Sequence, residues 1–145
     1  MRFSPLLLTV AVMALPIAGH ARNLACTTQT SASGGWVPRM TIFFIDEDKK
    51  TASVLNELTM VKSRQPMRAR VRKTRNQTLR INWNVNGLRT KQGPIVTAHF
   101  FATFDATLSV VNIKATVGNG INAPSGQGRC VELDQKTLDG LVAGG

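Results

Sequence analysis

Tyrosine is absent from the chain, which rules out any role that needs a phenolic hydroxyl. Histidine is nearly absent too: beyond residue 21 only His99 remains. A histidine-based triad or dyad can therefore form only through His99, and a metal site would have to draw its other ligands from carboxylates. Acidic residues are missing from the whole interval between Glu57 and Asp105. After the N-terminal segment no apolar run approaches the roughly 20 residues that a membrane-spanning helix requires. Cysteine occurs twice, at Cys26 and Cys130, so only one intramolecular bridge is possible.

The first residues carry one basic side chain, Arg2, then an apolar run from Leu6 to Ile17, then small residues at Ala18, Gly19 and Ala21. This order reads as a secretory signal peptide over 1–21, with the mature chain starting at Arg22. Export, periplasmic or secreted, places Cys26 and Cys130 in an oxidising compartment, where a disulfide between first and last strands is expected. The lesser alternative takes Leu24-Ala25-Cys26 as a lipoprotein cleavage site, which would lipidate Cys26 and leave Cys130 unpaired.

The mature length suits one domain with a hydrophobic core. Turn signals recur every eight to twelve residues between short runs rich in Val, Ile, Phe, Thr and Trp, the spacing of an antiparallel meander. Strands are expected at Arg39 to Ile45, Thr51 to Leu58, Met67 to Thr74, Thr78 to Asn86, Ile95 to Phe104, Thr107 to Val117 and about Arg129 to Leu133, with no strong helix before the tail. In Thr78 to Asn86, Leu79, Ile81, Trp83 and Val85 alternate with Arg80, Asn82, Asn84 and Asn86, so one face is buried and the other polar. Met67, Ala69 and Val71 alternate likewise with Arg68, Arg70 and Arg72. A three-residue loop at Arg75 to Gln77 sets Val71 opposite Ile81 and Arg70 opposite Asn82, because a slip by one would turn arginines to the core. The expected fold is all-β: a small antiparallel meander barrel of seven or eight strands over 22–133, stapled by the disulfide, with a β-sandwich as the alternative. Residues 134–145 are expected to form a flexible tail.

Several stretches carry a resemblance: Gly35-Trp36-Val37-Pro38, Gln65-Pro66-Met67-Arg68-Ala69, Leu79-Arg80-Ile81-Asn82-Trp83, Ala102-Thr103-Phe104 and Gly126-Gln127-Gly128-Arg129-Cys130. In this order the chain resembles small exported β proteins of alphaproteobacteria, a group with no assigned activity. The resemblance covers nearly the whole mature chain and implies the fold and the compartment. Phe101 stands where those proteins tend to have a tyrosine.

Little in the chain points to catalysis. His99 is read as a strand-surface residue sharing a face with Thr97 and Phe101, and Asp46-Glu47-Asp48 as a solvated hairpin tip, since Lys50 and Thr51 stand where a calcium loop needs an oxygen ligand and a glycine. No catalytic residue, metal site or cofactor is assigned, and the protein is read as a non-enzyme. Charge is the stronger signal. The mature chain has 17 Lys and Arg against 8 Asp and Glu. Arg68, Arg70, Arg72 and Arg80 should project from one hairpin face, where arginine's planar fork suits phosphate and carboxylate. The first expectation is thus a binding protein whose hairpin contacts an acidic protein, an anionic envelope polymer or lipid headgroups. Nucleic acid is disfavoured because the basic face lacks interleaved aromatics and export removes the usual targets. Two alternatives are a carrier with a small ligand inside the barrel, lined by Trp83, Phe100 and Phe104, and a periplasmic inhibitor.

Overall fold

The computed structural model describes residues 21–30, 35–118 and 124–144. The expected signal peptide, apart from Ala21, lies outside the described residues. The elements in chain order are β1 (Ala21–Thr30), β2 (Met40–Asp46), β3 (Thr51–Asn56), α1 (Glu57–Ser63), β4 (Met67–Lys73), β5 (Leu79–Arg89), β6 (Ile95–Phe104), β7 (Val110–Val117), β8 (Ser125–Glu132) and α2 (Gln135–Ala143). The strands form a closed barrel in sequence order, every neighbour antiparallel, with β8 returning to pair with β1. The barrel is thus the architecture adopted, not the sandwich.

Closure depends on the β1–β8 seam. Cys26 and Cys130 stand opposite each other in its register and are joined by the disulfide, 104 residues apart in sequence. Chain entropy assigns such a loop about 4 to 5 kcal/mol of stabilisation. A disulfide of this kind belongs to an oxidising environment. It also overturns the lipidated alternative, because the sulfur of Cys26 is committed within β1. Beside it, Gly126 and Gly128 occupy the buried positions of β8. A Cβ at Gly128 would collide with the backbone oxygen of Thr27, so only glycine allows β1 to lie this close.

Large side chains from the other strands fill the interior. Phe43, Phe100 and Phe104 are at most 1% exposed, and Trp83 is 2% exposed. Trp83 stacks on Phe100 with centroids 5.0 Å apart, while Phe43 meets Trp83 edge-on at 5.7 Å and Phe104 at 5.1 Å. An eight-stranded barrel is just wide enough for its own side chains to fill. Small residues on β7 and β8, Ala115, Gly126 and Gly128, accompany rings that project from β2, β5 and β6.

Sequence reading placed a strand through Leu58 and no helix here; the structure ends β3 at Asn56 and begins α1. The Asn56 carboxamide oxygen accepts from the amides of Leu58 and Thr59, both at 3.0 Å, and the Thr59 hydroxyl accepts from the Asn56 amide at 2.8 Å. This reciprocal cap satisfies helix-start donors that would otherwise be buried without partners. Arg64 ends the helix in the left-handed region at φ 53°. Val37 belongs to the core at that end of the barrel, and Leu58 and Trp36 pack against it. The opposite end carries the β2–β3, β4–β5 and β6–β7 hairpins. At the C-terminus, where a flexible tail was expected, residues 135–143 form α2, capped by Asp134, with Leu138 buried.

Two expected outcomes follow from this packing. Gly128→Ala should destabilise the protein by about 2 to 3 kcal/mol through overpacking at the seam, measured by urea unfolding; a neutral substitution would show that the β1–β8 approach is looser. The second concerns acid. Asp105 closes the β6–β7 turn, accepting from the amides of Ser109 and Val110 at 2.8 and 3.0 Å and from the Thr107 hydroxyl at 2.8 Å. Chiefly the Val110 amide, then the Thr107 hydroxyl, hold its carboxyl below the ordinary value of 3.8. Because the folded value is the lower one, the contribution is complete above the unfolded value and is lost as the pH falls through the folded value. Asp105→Ala should therefore remove part of the acid-induced drop in thermal midpoint; an unchanged acid limb would contradict this role.

Candidate anion-docking face

The β4–β5 hairpin is the pairing expected from sequence: Arg70 opposite Asn82, Val71 opposite Ile81, Arg72 opposite Arg80. Val71 and Ile81 are buried while Arg70, Arg72 and Arg80 are exposed, so the polar parity of both strands faces out. Lys73, at core parity but at the strand end, escapes at the rim and pairs with Glu47 at 3.4 Å. The turn between the strands puts Gln77 in the left-handed region at φ 61°, the form of a three-residue hairpin loop.

Arg68, Arg70 and Arg72 recur along β4 at about 7 Å intervals, and Arg80 lies beside them on β5. Their other cross-strand partners are neutral: Ser53 opposite Arg68, Thr51 opposite Arg70, Thr103 opposite Arg80. Among the described residues the ion pairs are Arg22 with Glu132, Lys49 with Asp46 and Lys73 with Glu47, and none involves these four arginines. Arg72 opposite Arg80 is a like-charge pair, a position that costs stability unless solvent or an anion screens it. Several acids are engaged elsewhere. Asp46 also accepts from the Lys49 amide at 3.1 Å, which makes the acidic tip a lysine-tied hairpin. Asp134 caps α2 through the Thr137 amide, and the Thr137 side chain first and its amide second lower the Asp134 pKa.

At the hairpin end of the barrel, a cleft of about 1160 Å³ is lined by Arg22, Glu47, Lys50, Arg72, Lys73, Leu79 and Glu132 among others. Arg72 therefore belongs both to the rim of this cleft and to the arginine face. Trp83, Phe100 and Phe104, read from sequence as possible cavity walls, are buried in the core and pack on one another or on Phe43.

Sequence reading missed an aromatic on this face. The β5–β6 register sets Phe101 opposite Asn82, so that Arg70, Asn82, Phe101 and Lys114 form one row across four strands. Phe101 is 43% exposed. The expectation that the basic face lacks an interleaved aromatic is thereby corrected: the ring comes from a strand remote in sequence, and only the register brings it in. His99 lies on the same outer face, with Nδ1 2.8 Å from Asn84 Oδ1. Its hydrogen-bond partner is an amide and not a carboxylate. Among the described residues, no group of three His, Cys, Asp or Glu gathers in a way that could hold a metal ion.

The like-charge pair yields a stability test. Arg72→Glu converts it to an opposite pair and should raise stability by about 0.5 to 1 kcal/mol at low salt, with the gain shrinking as salt screens it. Thermal unfolding at two ionic strengths checks this, and a loss of stability would mean that Arg72 is already compensated in the folded state. Comparison with protein-family models, curated proteins and solved structures finds no match for this chain, so what it does has to be read from its own surface.

Proposed function

We propose that this protein is an exported, non-enzymatic binding protein, periplasmic or secreted, whose β4–β5 face docks an acidic or anionic partner of the cell envelope. The observation that carries this reading is the row of exposed arginines that have no acidic partner among the described residues, including a like-charge pair directly across the hairpin. Each guanidinium can donate two parallel hydrogen bonds to a carboxylate or phosphate. A partner supplying those oxygens would relieve the Arg72 and Arg80 repulsion, so binding and stability are coupled on this face. The excess of 17 Lys and Arg over 8 Asp and Glu in the mature chain adds long-range attraction to an anionic surface. The disulfide supports the export side of the reading. An inhibitor of a basic enzyme fits less well, because like charges slow encounter.

The expected behaviour is salt-sensitive binding to anionic vesicles or to immobilised polyglutamate. Arg70→Gln with Arg80→Gln should weaken vesicle binding by about 1 kcal/mol for each lost charge at low salt, and should flatten the salt dependence. Affinity that does not change with salt, or that survives loss of both arginines, would contradict the proposal.

A further inference from the structure

Phe101 is an exposed phenyl ring in polar surroundings. Its cross-strand partners are Asn82 and Lys114, and its neighbours on the same face of β6 are His99 and Thr103. Arg80 lies diagonally across, beside Asn82. None of these five side chains is apolar, so the ring has no hydrophobic neighbour among them to pack against. A lone exposed apolar residue is common on protein surfaces and means little by itself. Here, however, the ring sits within the arginine row, in line with Arg70 on one side and Lys114 on the other. Three strand steps separate those two cations, about 14 Å.

We infer that the face recognises an acidic polysaccharide, a chain of sugar rings bearing carboxylates, with Phe101 as the stacking platform for one ring. This rests on the anion-docking reading and specifies its ligand. The face of a phenyl ring is electron-rich and attracts the slightly positive C–H groups on the flat side of a sugar. Side-chain amides carry a donor and an acceptor each and so match hydroxyl groups, which do the same. Asn82 provides such an amide directly beside the ring, and the hydrogen bond between Asn84 and His99 holds two more polar side chains on the same face. Arg70, Arg80 and Lys114 supply the charge for the carboxylates. Single-stranded nucleic acid is the lesser match, since it is bound on successive aromatic platforms along a groove, and this row offers one ring. A lipid surface would reward apolar side chains that insert together, whereas the neighbours of Phe101 are polar.

The test compares the wild type with Phe101→Ala and Phe101→Trp, using polygalacturonate, polyglutamate, a single-stranded oligonucleotide and anionic vesicles as probes. Phe101→Ala should weaken polygalacturonate binding about tenfold, as for an aromatic contact at the centre of an interface. It should leave polyglutamate binding and the unfolding midpoint unchanged. Phe101→Trp should retain or improve polygalacturonate binding. Equal effects of Phe101→Ala on both polymers, or none on either, would overturn the sugar platform, while arginine-dependent, salt-sensitive binding would leave the docking face standing. Tighter, Phe101-dependent binding of the oligonucleotide or the vesicles would also overturn it, in favour of that ligand class. Failure of the wild type to bind any polyanion would remove both readings.

Discussion

The β1–β8 seam is the constraint on which the rest of the molecule depends. An eight-stranded meander without it is an open sheet with two unpaired edges, exposed to pairing with other chains. The disulfide joins the two edge strands at Cys26 and Cys130, and Gly128 omits a Cβ that would hold them apart. Once the ring of strands is closed, its interior has a fixed width. The rings of Phe43, Trp83, Phe100 and Phe104 then pack at close centroid distances in that interior. Closure and core packing are thus one constraint seen from two sides.

The arginine face follows from that core. Leu79, Ile81, Trp83 and Val85 are all buried on β5, and each contributes about 1.5 to 3 kcal/mol when removed from water. Placing Arg72 against Arg80 costs at most about 1 kcal/mol. The core term is several times larger, so the register is set from inside and the outer face accepts the like charges. This explains how a cluster of arginines can persist in a stable hairpin. The register therefore needs no acidic residue opposite these arginines.

Much of this was legible in the sequence because strand alternation has a period of two and the hairpin loop is short. Those two facts gave the orientation of Arg68, Arg70, Arg72 and Arg80, and the pairing of Val71 with Ile81. Contacts between strands joined by longer links were not legible. Phe101 reaches the arginine row only through the β5–β6 register, which is interrupted between Val85 and Leu88 around Gly87 at φ 69°. The inward direction of Trp83, Phe100 and Phe104 could be read from parity. Whether they would line a void or pack together could not, because that depends on volumes contributed by all eight strands. The helix α1 was missed because a seven-residue segment shows too little periodicity, although Asn56, Thr59 and Pro66 marked its limits.

The dependence of the arginine face on the seam is tested most directly by amide hydrogen exchange in a Cys26→Ala/Cys130→Ala double variant. If closure and core act as one cooperative unit, amides of β4 and β5 should lose protection together with those of β1 and β8, by about 4 to 5 kcal/mol. Loss confined to β1 and β8, with β4 and β5 as protected as in the disulfide-bonded protein, would show that the hairpin stands without the seam and would contradict the account.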